Sequence, residues 1–353
     1  MQDKQATMIP LMDIARLITL VVCVSVLSTT VYAGRGDKAG TAAASELLIP
    51  VDARSIALGS ASIAASTGVE ALYWNPAGLA QSQAQSGAMF SHMRYLADIS
   101  LNYGAVSTTL RSIGKVGFSI KALSFGDISI TTEDEPDGTG ETTSPTFVIL
   151  GATFSRQMAD RIFVGITMNY IYEKMASVSA TDIAFSAGVL YTDLGGVQGL
   201  RLGAAVKHIG PSMKYDGDGL FRTGQIDDVL RPSSRYKIEA AAADLPSSIE
   251  IGLSYTMRIT GATHLNMMSA FQNNNFSNDE YKVGAEYVYH NLIFLRAGSA
   301  FASESEGREY IFGPSMGAGI KTMYRDVTLS IDYAYRSVKY FNGNHVVSVG
   351  LEF

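Results

Sequence analysis

Few residues in this chain have the type and spacing that catalysis or metal binding requires. The 353-residue sequence holds five histidines and one cysteine, and the scattered histidines follow no metal-ligand motif. Residues 313–317 (GPSMG) match the nucleophile-elbow pattern of hydrolases. That motif needs a strand followed by a helix, whereas residues 318–321 continue a strand pattern. We therefore expect no enzyme activity, no metal and no cofactor.

Two acidic runs, residues 133–138 (EDEPDG) and 216–219 (DGDG), carry oxygen ligands of the kind that Ca²⁺ prefers. Neither run completes a known ion-binding loop. Acidic loops at a protein surface are usually only solvated. Calcium binding therefore stays an alternative to two solvated loops.

The composition excludes several classes of protein. Apolar residues make up 47% of the chain and charged residues 17%, against roughly 25% charged residues in an average soluble domain. The net charge of −6 and the single cysteine argue against a nucleic-acid partner and against a disulfide scaffold. After the first thirty-odd residues, no apolar run approaches the roughly 18 residues of a spanning helix. High apolarity without such helices favours membrane strands.

Residues 1–33 have the features of an export signal. Leu17–Leu27 form an apolar core that is too short for a spanning helix, and Arg16 precedes it. Val31 and Ala33 supply small residues at the usual cleavage positions. We expect cleavage after Ala33 and export across the inner membrane; an uncleaved anchor is the alternative.

Residues 84–353 alternate between apolar and polar side chains. Ile249, Ile251 and Leu253 alternate with Glu250 and Gly252, as on a strand with one apolar face. About fourteen segments of near ten residues repeat this pattern, the length of a tilted strand that crosses a bilayer. The sequence thus predicts an all-β fold, a transmembrane antiparallel β-barrel of about 14 strands. The strands are expected to begin at Ser86, Ile99, Gly114, Ser144, Arg161, Thr181, Leu200, Pro246, Ala262, Glu280, Leu292, Phe312, Asp326 and Asn344.

The lengths of the connections support a barrel in the outer membrane of a Gram-negative bacterium. Even-numbered connections, such as residues 157–160 and 290–291, are short. Most odd-numbered ones, such as residues 127–143 and 209–245, are long. Short periplasmic turns that alternate with long external loops are typical of outer-membrane barrels, which contact lipid on their outer face.

The C-terminal strand ends in an apolar, aromatic pattern. Val347, Val349, Leu351 and the terminal Phe353 alternate with polar residues. Leu351 and Phe353 resemble the C-terminal signal by which outer-membrane barrels are recognised for insertion. The alternative is an ordinary edge strand that ends in phenylalanine.

Residues 34–83 break the alternation and are rich in alanine and serine. Because about fourteen strands enclose a lumen too wide for side chains alone to fill, we expect this segment to be a hatch that plugs the barrel. Asn75 before Pro76 favours a turn. A role as a structural wedge and a role in gating or ligand binding both stay open for its residues. The candidates are Asp52, Arg54, Leu72, Tyr73, Trp74, Asn75, Pro76, Ala77 and Gly78.

The hatch carries a family resemblance. Asn75-Pro76-Ala77 is similar to a motif near the N-terminus of FadL-like barrels. The fuller blocks at residues 49–54 (IPVDAR) and 72–79 (LYWNPAGL) resemble the PorV/PorQ family more closely. These are outer-membrane barrels linked to the type IX secretion system. The motif resemblance covers only about forty residues.

The resemblance implies two alternative functions. A PorV/PorQ-type barrel serves protein export and cell-surface attachment, and it binds secreted cargo proteins or subunits of the attachment complex. A FadL-like channel instead passes long-chain fatty acids or other hydrophobic small molecules. A purely structural surface barrel is a third possibility.

The connection of residues 209–245 is far longer than ordinary structureless loops, which favours a functional or folded loop. Aromatic and apolar residues stand among charges of both signs, a mixture suited to protein recognition. A loop that merely covers the barrel mouth is the alternative. The candidate partner-binding residues are Tyr215, Phe221, Arg222, Leu230, Arg231 and Arg235.

Overall fold

The computed structural model describes residues 38–224, 233–302 and 309–353. The predicted export signal, residues 1–33, and the candidates Leu230 and Arg231 lie outside the described residues. Eighteen strands are present in the described parts of the chain. They are β1 (Ser86–Arg94), β2 (Ser100–Leu110), β3 (Gly114–Ser124), β4 (Ile128–Ser129), β5 (Thr142–Thr143), β6 (Thr146–Ala159), β7 (Ile162–Met175), β8 (Val178–Thr192), β9 (Leu200–Ile209), β10 (Phe221–Gly224), β11 (Ser234–Lys237), β12 (Ser248–Arg258), β13 (Thr263–Asn274), β14 (Glu280–Tyr289), β15 (Ile293–Ala302), β16 (Phe312–Tyr324), β17 (Val327–Val338) and β18 (Asn344–Glu352).

Fourteen of these strands form one closed antiparallel barrel, in which β1 pairs with β18. The predicted fold class is therefore confirmed. The observed strand starts lie close to the expected ones, and the largest difference is at β8, which begins at Val178 instead of Thr181. Residues 178–180 pair with residues 173–175 of β7, so the hairpin continues to a two-residue turn. Two small sheets, β4–β5 and β10–β11, lie within the long connections and were not predicted as strands.

The period-two pattern sorts the barrel side chains between lipid and lumen. On β12, Ile249 and Ile251 are about half exposed on the outer face, whereas Ser248 and Glu250 are buried inside. Because neighbouring side chains on a strand point to opposite faces, each strand can present hydrocarbon to lipid and polar groups to the lumen. Phe90, Phe118 and Ile320 extend the outer apolar face.

The connections separate the two ends of the barrel. The short-turn rim carries residues 111–113, 160–161, 193–199, 259–262, 290–292 and 325–326. The long-loop rim carries, among the described residues, 95–99, 125–145, 176–177, 210–224, 233–247, 275–279, 309–311 and 339–343. The turn at 176–177 is short although it lies on the long-loop rim. In outer-membrane barrels, the rim with the longer loops faces the cell exterior.

The segment before β1 fills the lumen with short helices. They are 3₁₀ turns at Ser45–Leu48, Gly68–Glu70 and Pro76–Gln81, and α-helical turns at Ala53–Ala57 and Ala71–Trp74. Two further 3₁₀ turns, Leu194–Gly196 and Asp218–Leu220, belong to connections between strands. Within the residues that the structure describes, no helix is long and apolar enough to span a membrane. Ile56, Leu58 and Leu79 of the lumen segment are fully buried, so this segment provides the core of the barrel.

Candidate functional site

The two motif blocks of the hatch meet at a buried hydrogen bond. Asp52 caps the helical turn Ala53–Ala57, and its Oδ1 accepts a hydrogen bond from the Ser55 backbone N–H at 2.7 Å. Its Oδ2 accepts a hydrogen bond from Nε1 of Trp74 at 2.5 Å. Asp52 and Trp74 are almost fully buried. An N-cap that also receives a distant indole N–H holds the two blocks together.

Asn75 organises the turn that precedes Pro76. Its Oδ1 accepts a hydrogen bond from the Ala77 N–H at 3.1 Å, as expected of a cap before a proline. Its Nδ2 donates to the carbonyl oxygens of Ile63, at 2.9 Å, and Val189, at 3.1 Å. Asn75 therefore joins two parts of the hatch to strand β8 of the wall.

Glycines on the inner wall allow the hatch backbone to approach closely. A Cβ at Gly188 would overlap Oδ1 of Asn75, and a Cβ at Gly165 would overlap the Pro76 backbone. The same holds for Gly203 against Ile63 and for Gly298 against Leu58. These four belong to a group of inward glycines that also includes Gly117, Gly284 and Gly317. The hatch backbone therefore packs directly against the wall backbone at positions where the wall residue is glycine.

An ion network fixes the hatch to the opposite side of the wall. Arg54 binds Glu286 of β14 through two hydrogen bonds, at 3.0 and 3.2 Å, and binds Glu70 at 2.8 Å. Arg296 of β15 bridges Glu286, at 2.6 Å, and Asp332 of β17, at 2.5 Å. Burial raises the pKa of Glu70 to about 7, against the lowering effect of Arg54. The central carboxylate, Glu286, therefore pairs with one cation of the hatch, Arg54, and one cation of the wall, Arg296.

Three wall lysines complete the inner contacts. Lys121 of β3 donates to the main-chain oxygens of Glu46, at 2.6 Å, and Ile49, at 2.5 Å. Lys207 of β9 pairs with Glu250 at 2.9 Å and lies 5.3 Å from the Trp74 ring. Lys282 also reaches Glu250, at 3.4 Å. Neither these ion networks nor the acidic partners Glu70, Glu250 and Asp332 were predicted from the sequence. For the strand residues Glu250 and Asp332, the inward side of the alternation was the available signal.

Two separate cavities are found in the lumen among the described residues. A cavity of about 260 Å³ lies toward the short-turn rim, where Arg54, Glu70, Lys321 and Glu352 line it. A cavity of about 30 Å³ lies on the other side of the hatch and is lined by residues that include Tyr73 and Lys121. The smaller cavity has room for one or two water molecules. No residue lines both cavities.

The other hatch candidates are packing residues in this structure. Leu72 is buried against Gly117, and Ala77 is buried in a small cluster with Phe163 and Leu190. Tyr73 packs edge-on against Trp74, with 5.0 Å between ring centroids, and donates to the Leu47 carbonyl at 3.2 Å. Gly78 lies so close to Ser66 that a Cβ would overlap its carbonyl.

In the long loop, residues 210–247, the described strands β10 and β11 pair as a hairpin. Strands β10 and β11 pair from Phe221 with Lys237 to Gly224 with Ser234. The Arg235 guanidinium lies 4.1 Å from the Phe221 ring centroid and 3.6 Å from Asp218. Lys237 pairs with Asp216. The acidic run 216–219 is therefore engaged by cations of the same hairpin, which disfavours a calcium site there.

The predicted partner-binding residues do not share one environment. Arg222 and Arg235 are exposed on the hairpin, Phe221 is half-buried beneath Arg235, and Tyr215 turns inward to donate to the carboxyl of Glu173. Tyr236 and Ile238, which were not predicted, are 48% and 47% exposed. Among the described residues of the loop, exposed large apolar side chains thus lie on β11 and just after it.

The last strand closes the barrel. Leu351 pairs with Ala88 of β1 and Leu329 of β17, while Phe353 lies 51% exposed on the outer face. The Phe353 carbonyl accepts hydrogen bonds from the backbone N–H groups of Gln85, at 2.8 Å, and Ser86, at 3.2 Å. The C-terminal residue therefore completes the junction of β1 and β18.

The residues that could have carried chemistry are used structurally. Ser315, the central residue of the elbow-like run, lies within β16, and its single hydroxyl hydrogen is shared between the carbonyls of Ala57 and Gly298. Within the described residues, no group of three or more His, Cys, Asp or Glu side chains could hold a metal ion.

Comparison with known proteins identifies the family. The family described as type IX secretion system protein PorV matches residues 33–226, more than half of the chain. The chain belongs to the PorV family. This PorV-family barrel is an outer-membrane protein, as the sequence predicts. No curated protein matches the chain.

Solved structures show the same fold. The CymD monoaromatic hydrocarbon channel has a TM-score of 0.54 at 14% identity, over 87% of this chain and 98% of its own. The Pseudomonas putida toluene transporter TodX has a TM-score of 0.53 at 12% identity, over 86% and 97%. A Pseudomonas aeruginosa FadL homologue has a TM-score of 0.52 at 12% identity, over 86% and 98%. The PorV-family barrel therefore has a FadL-like fold.

Proposed function

We propose that this barrel acts in type IX secretion as a plugged outer-membrane scaffold that binds secreted cargo or subunits of the attachment complex at its long-loop rim. The observation that carries the proposal is the contrast between the base of the loop 210–247 and its hairpin. The loop base packs into the mouth, whereas its hairpin presents Tyr236 and Ile238 to solvent. Exposed aromatic and aliphatic residues ringed by charge suit protein recognition.

The lumen supports a binding role over open diffusion. The hatch residues Trp74 and Asn75 are bonded on several sides, and inner-wall glycines seat their neighbours. Charged groups line the larger cavity, which does not favour a hydrocarbon ligand. The alternative, a channel for fatty acids or other hydrophobic compounds, is favoured by the fold shared with hydrocarbon channels. It requires that the hatch move.

The hairpin provides the test. Replacing residues 221–238 by a short Gly-Ser link removes the exposed Tyr236 and Ile238 and leaves Met213, Tyr215 and Leu245 at the loop base. The matched control shortens residues 128–143, the β4–β5 flap on the same rim. Cells carrying each variant are compared for crosslinking of cargo to the barrel and for release of cargo to the cell surface.

We expect the hairpin variant to lose most cargo crosslinking and to retain cargo in the periplasm, while the flap control behaves like the parent. Oleate uptake by a strain without the barrel separates the two functions. Normal cargo release together with collapsed oleate uptake would replace the secretion function by the channel function.

A further inference from the structure

The base of the long loop is seated on the first residues of the hatch. The Ala43 N–H donates to the Asp244 carbonyl at 3.0 Å. Met213 and Leu245 are 2% and 3% exposed and pack in one cluster with Leu47 of the hatch. The loop base is therefore a lid over the hatch at the long-loop rim.

Two buried carboxyl groups meet beneath this lid. Glu46 of the hatch and Glu173 of β7 are each 3% exposed, and the two side chains lie within hydrogen-bonding reach of each other. Within the described residues, no group other than the backbone N–H of Glu46 itself is placed to donate to the Glu46 side chain. Tyr215 of the lid donates its hydroxyl hydrogen to Oε2 of Glu173. Two carboxylates repel, whereas a single proton between them forms a hydrogen bond.

The surrounding charges come from three neighbouring strands. Lys121 of β3 bonds the main-chain oxygen of Glu46, and Lys207 and His208 of β9 lie behind it. Asp182 of β8 is two residues from Ala180, the partner of Glu173, and its buried Oδ2 receives no donor within the described residues. Lys121 favours the carboxylate of Glu46, but burial is the larger effect and raises the pKa of this group. The site therefore retains a proton more readily than a free carboxyl does.

We propose that Glu46 and Glu173 share a proton. This shared proton and the Tyr215 hydroxyl hold the loop base closed over the hatch. Loss of the proton to water releases the lid. This clamp goes beyond cargo binding, because its opening needs no partner. Its trigger is the pH outside the cell. A rise in pH leaves two adjacent carboxylates in a buried site, and their repulsion is relieved when the lid lifts.

Cysteine labelling tests the clamp in the assembled barrel. The sequence has one cysteine, Cys23 within the predicted export signal, so a Leu245→Cys reporter marks the lid and Tyr236→Cys marks an exposed site on the same loop. Because burial raises the pKa of a thiol, the same pair of reporters in the Glu46→Gln and Glu173→Gln variants serves as the control for thiol ionisation. We expect the ratio of the two maleimide rates to rise about tenfold from pH 6 to pH 9, the factor that one pKa unit represents.

Three variants separate the clamp from simple packing. Glu46→Gln and Glu173→Gln each supply a permanent donor between the two side chains, so the ratio should stay low at both pH values. Tyr215→Phe should raise the ratio at pH 6, because the lid loses its own bond. A ratio that does not change with pH in the parent overturns the proposal. The proposal is also overturned if the labelling ratio rises with pH in both glutamine variants as much as in the parent.

Discussion

Arg54 is the residue on which the contact between hatch and wall most depends. It holds Glu286 through two hydrogen bonds and Glu70 through a third. Arg54→Met should leave Glu286 with Arg296 and Asn266 but leave Glu70 without its cation. Breaking a buried pair costs on the order of 3–5 kcal/mol, although the partial exposure of Glu70 reduces that figure here.

The loss caused by Arg54→Met should depend on pH. A carboxyl group whose pKa is raised in the folded state contributes less stability as the pH rises above its unfolded value. The pKa of Glu70 is about 7 with Arg54 present and should rise further without it. We expect the unfolding temperature to fall more at pH 8 than at pH 6, measured by the shift between folded and unfolded bands on gels. Adding Glu70→Gln should restore most of the loss at pH 8; no restoration would contradict the assigned role of Glu70.

At the scale of elements, the inner-wall glycines and the hatch turns form one packing unit. Gly188→Ala places a methyl group where Oδ1 of Asn75 lies. We expect a loss of about 1–3 kcal/mol from overpacking, or a displaced hatch that proteases can cut. Gly104→Ala is the matched control, because its nearest neighbour would be a side-chain methyl of Ile120 at an ordinary 3.4 Å. Equal heat resistance of both variants would contradict close seating of the hatch.

Strand β18 joins the end of the chain to its first strand. Removal of Phe353 deletes backbone bonds to Gln85 and Ser86 together with the aromatic residue of the predicted insertion signal. We expect less barrel in the outer membrane and more precursor in the periplasm, measured by fractionation and blotting. Phe353→Tyr, which keeps the backbone bonds and an aromatic ring, should assemble normally. Unchanged membrane levels of the truncated chain would remove Phe353 from the insertion signal.

The strands were predictable because lipid and lumen impose opposite demands on neighbouring residues. For example, the alternation of Ile249 and Glu250 in the sequence correctly places Ile249 on the lipid face and Glu250 in the lumen. The hatch motif at Asp52 and Trp74 could be singled out, but not the bond between the two residues, because it depends on how irregular turns pack. The networks of Glu286 and Glu250 were missed for a related reason. Alternation assigns a face to each strand residue, but the barrel's register decides which charges meet.

At the scale of the whole molecule, closure of the barrel leaves no free sheet edge among its fourteen strands. All backbone groups of the barrel wall can pair with neighbouring strands, which makes closed barrels resistant to detergent. We expect unboiled protein to migrate faster than boiled protein on gels. Identical migration of the two samples would contradict a closed barrel.

The hatch also has a direction. Lys38 lies over Phe276 at the long-loop rim, whereas β1 begins beside Phe353 at the opposite rim. The chain therefore runs once through the lumen before it builds the wall that surrounds it. Within the described residues, the hatch is covalently joined to the wall only where β1 begins. Its other end, at the long-loop rim, is held by non-covalent contacts such as the hydrogen bond from the Ala43 N–H to the Asp244 carbonyl. The hatch is therefore tethered permanently at the short-turn rim and reversibly at the long-loop rim.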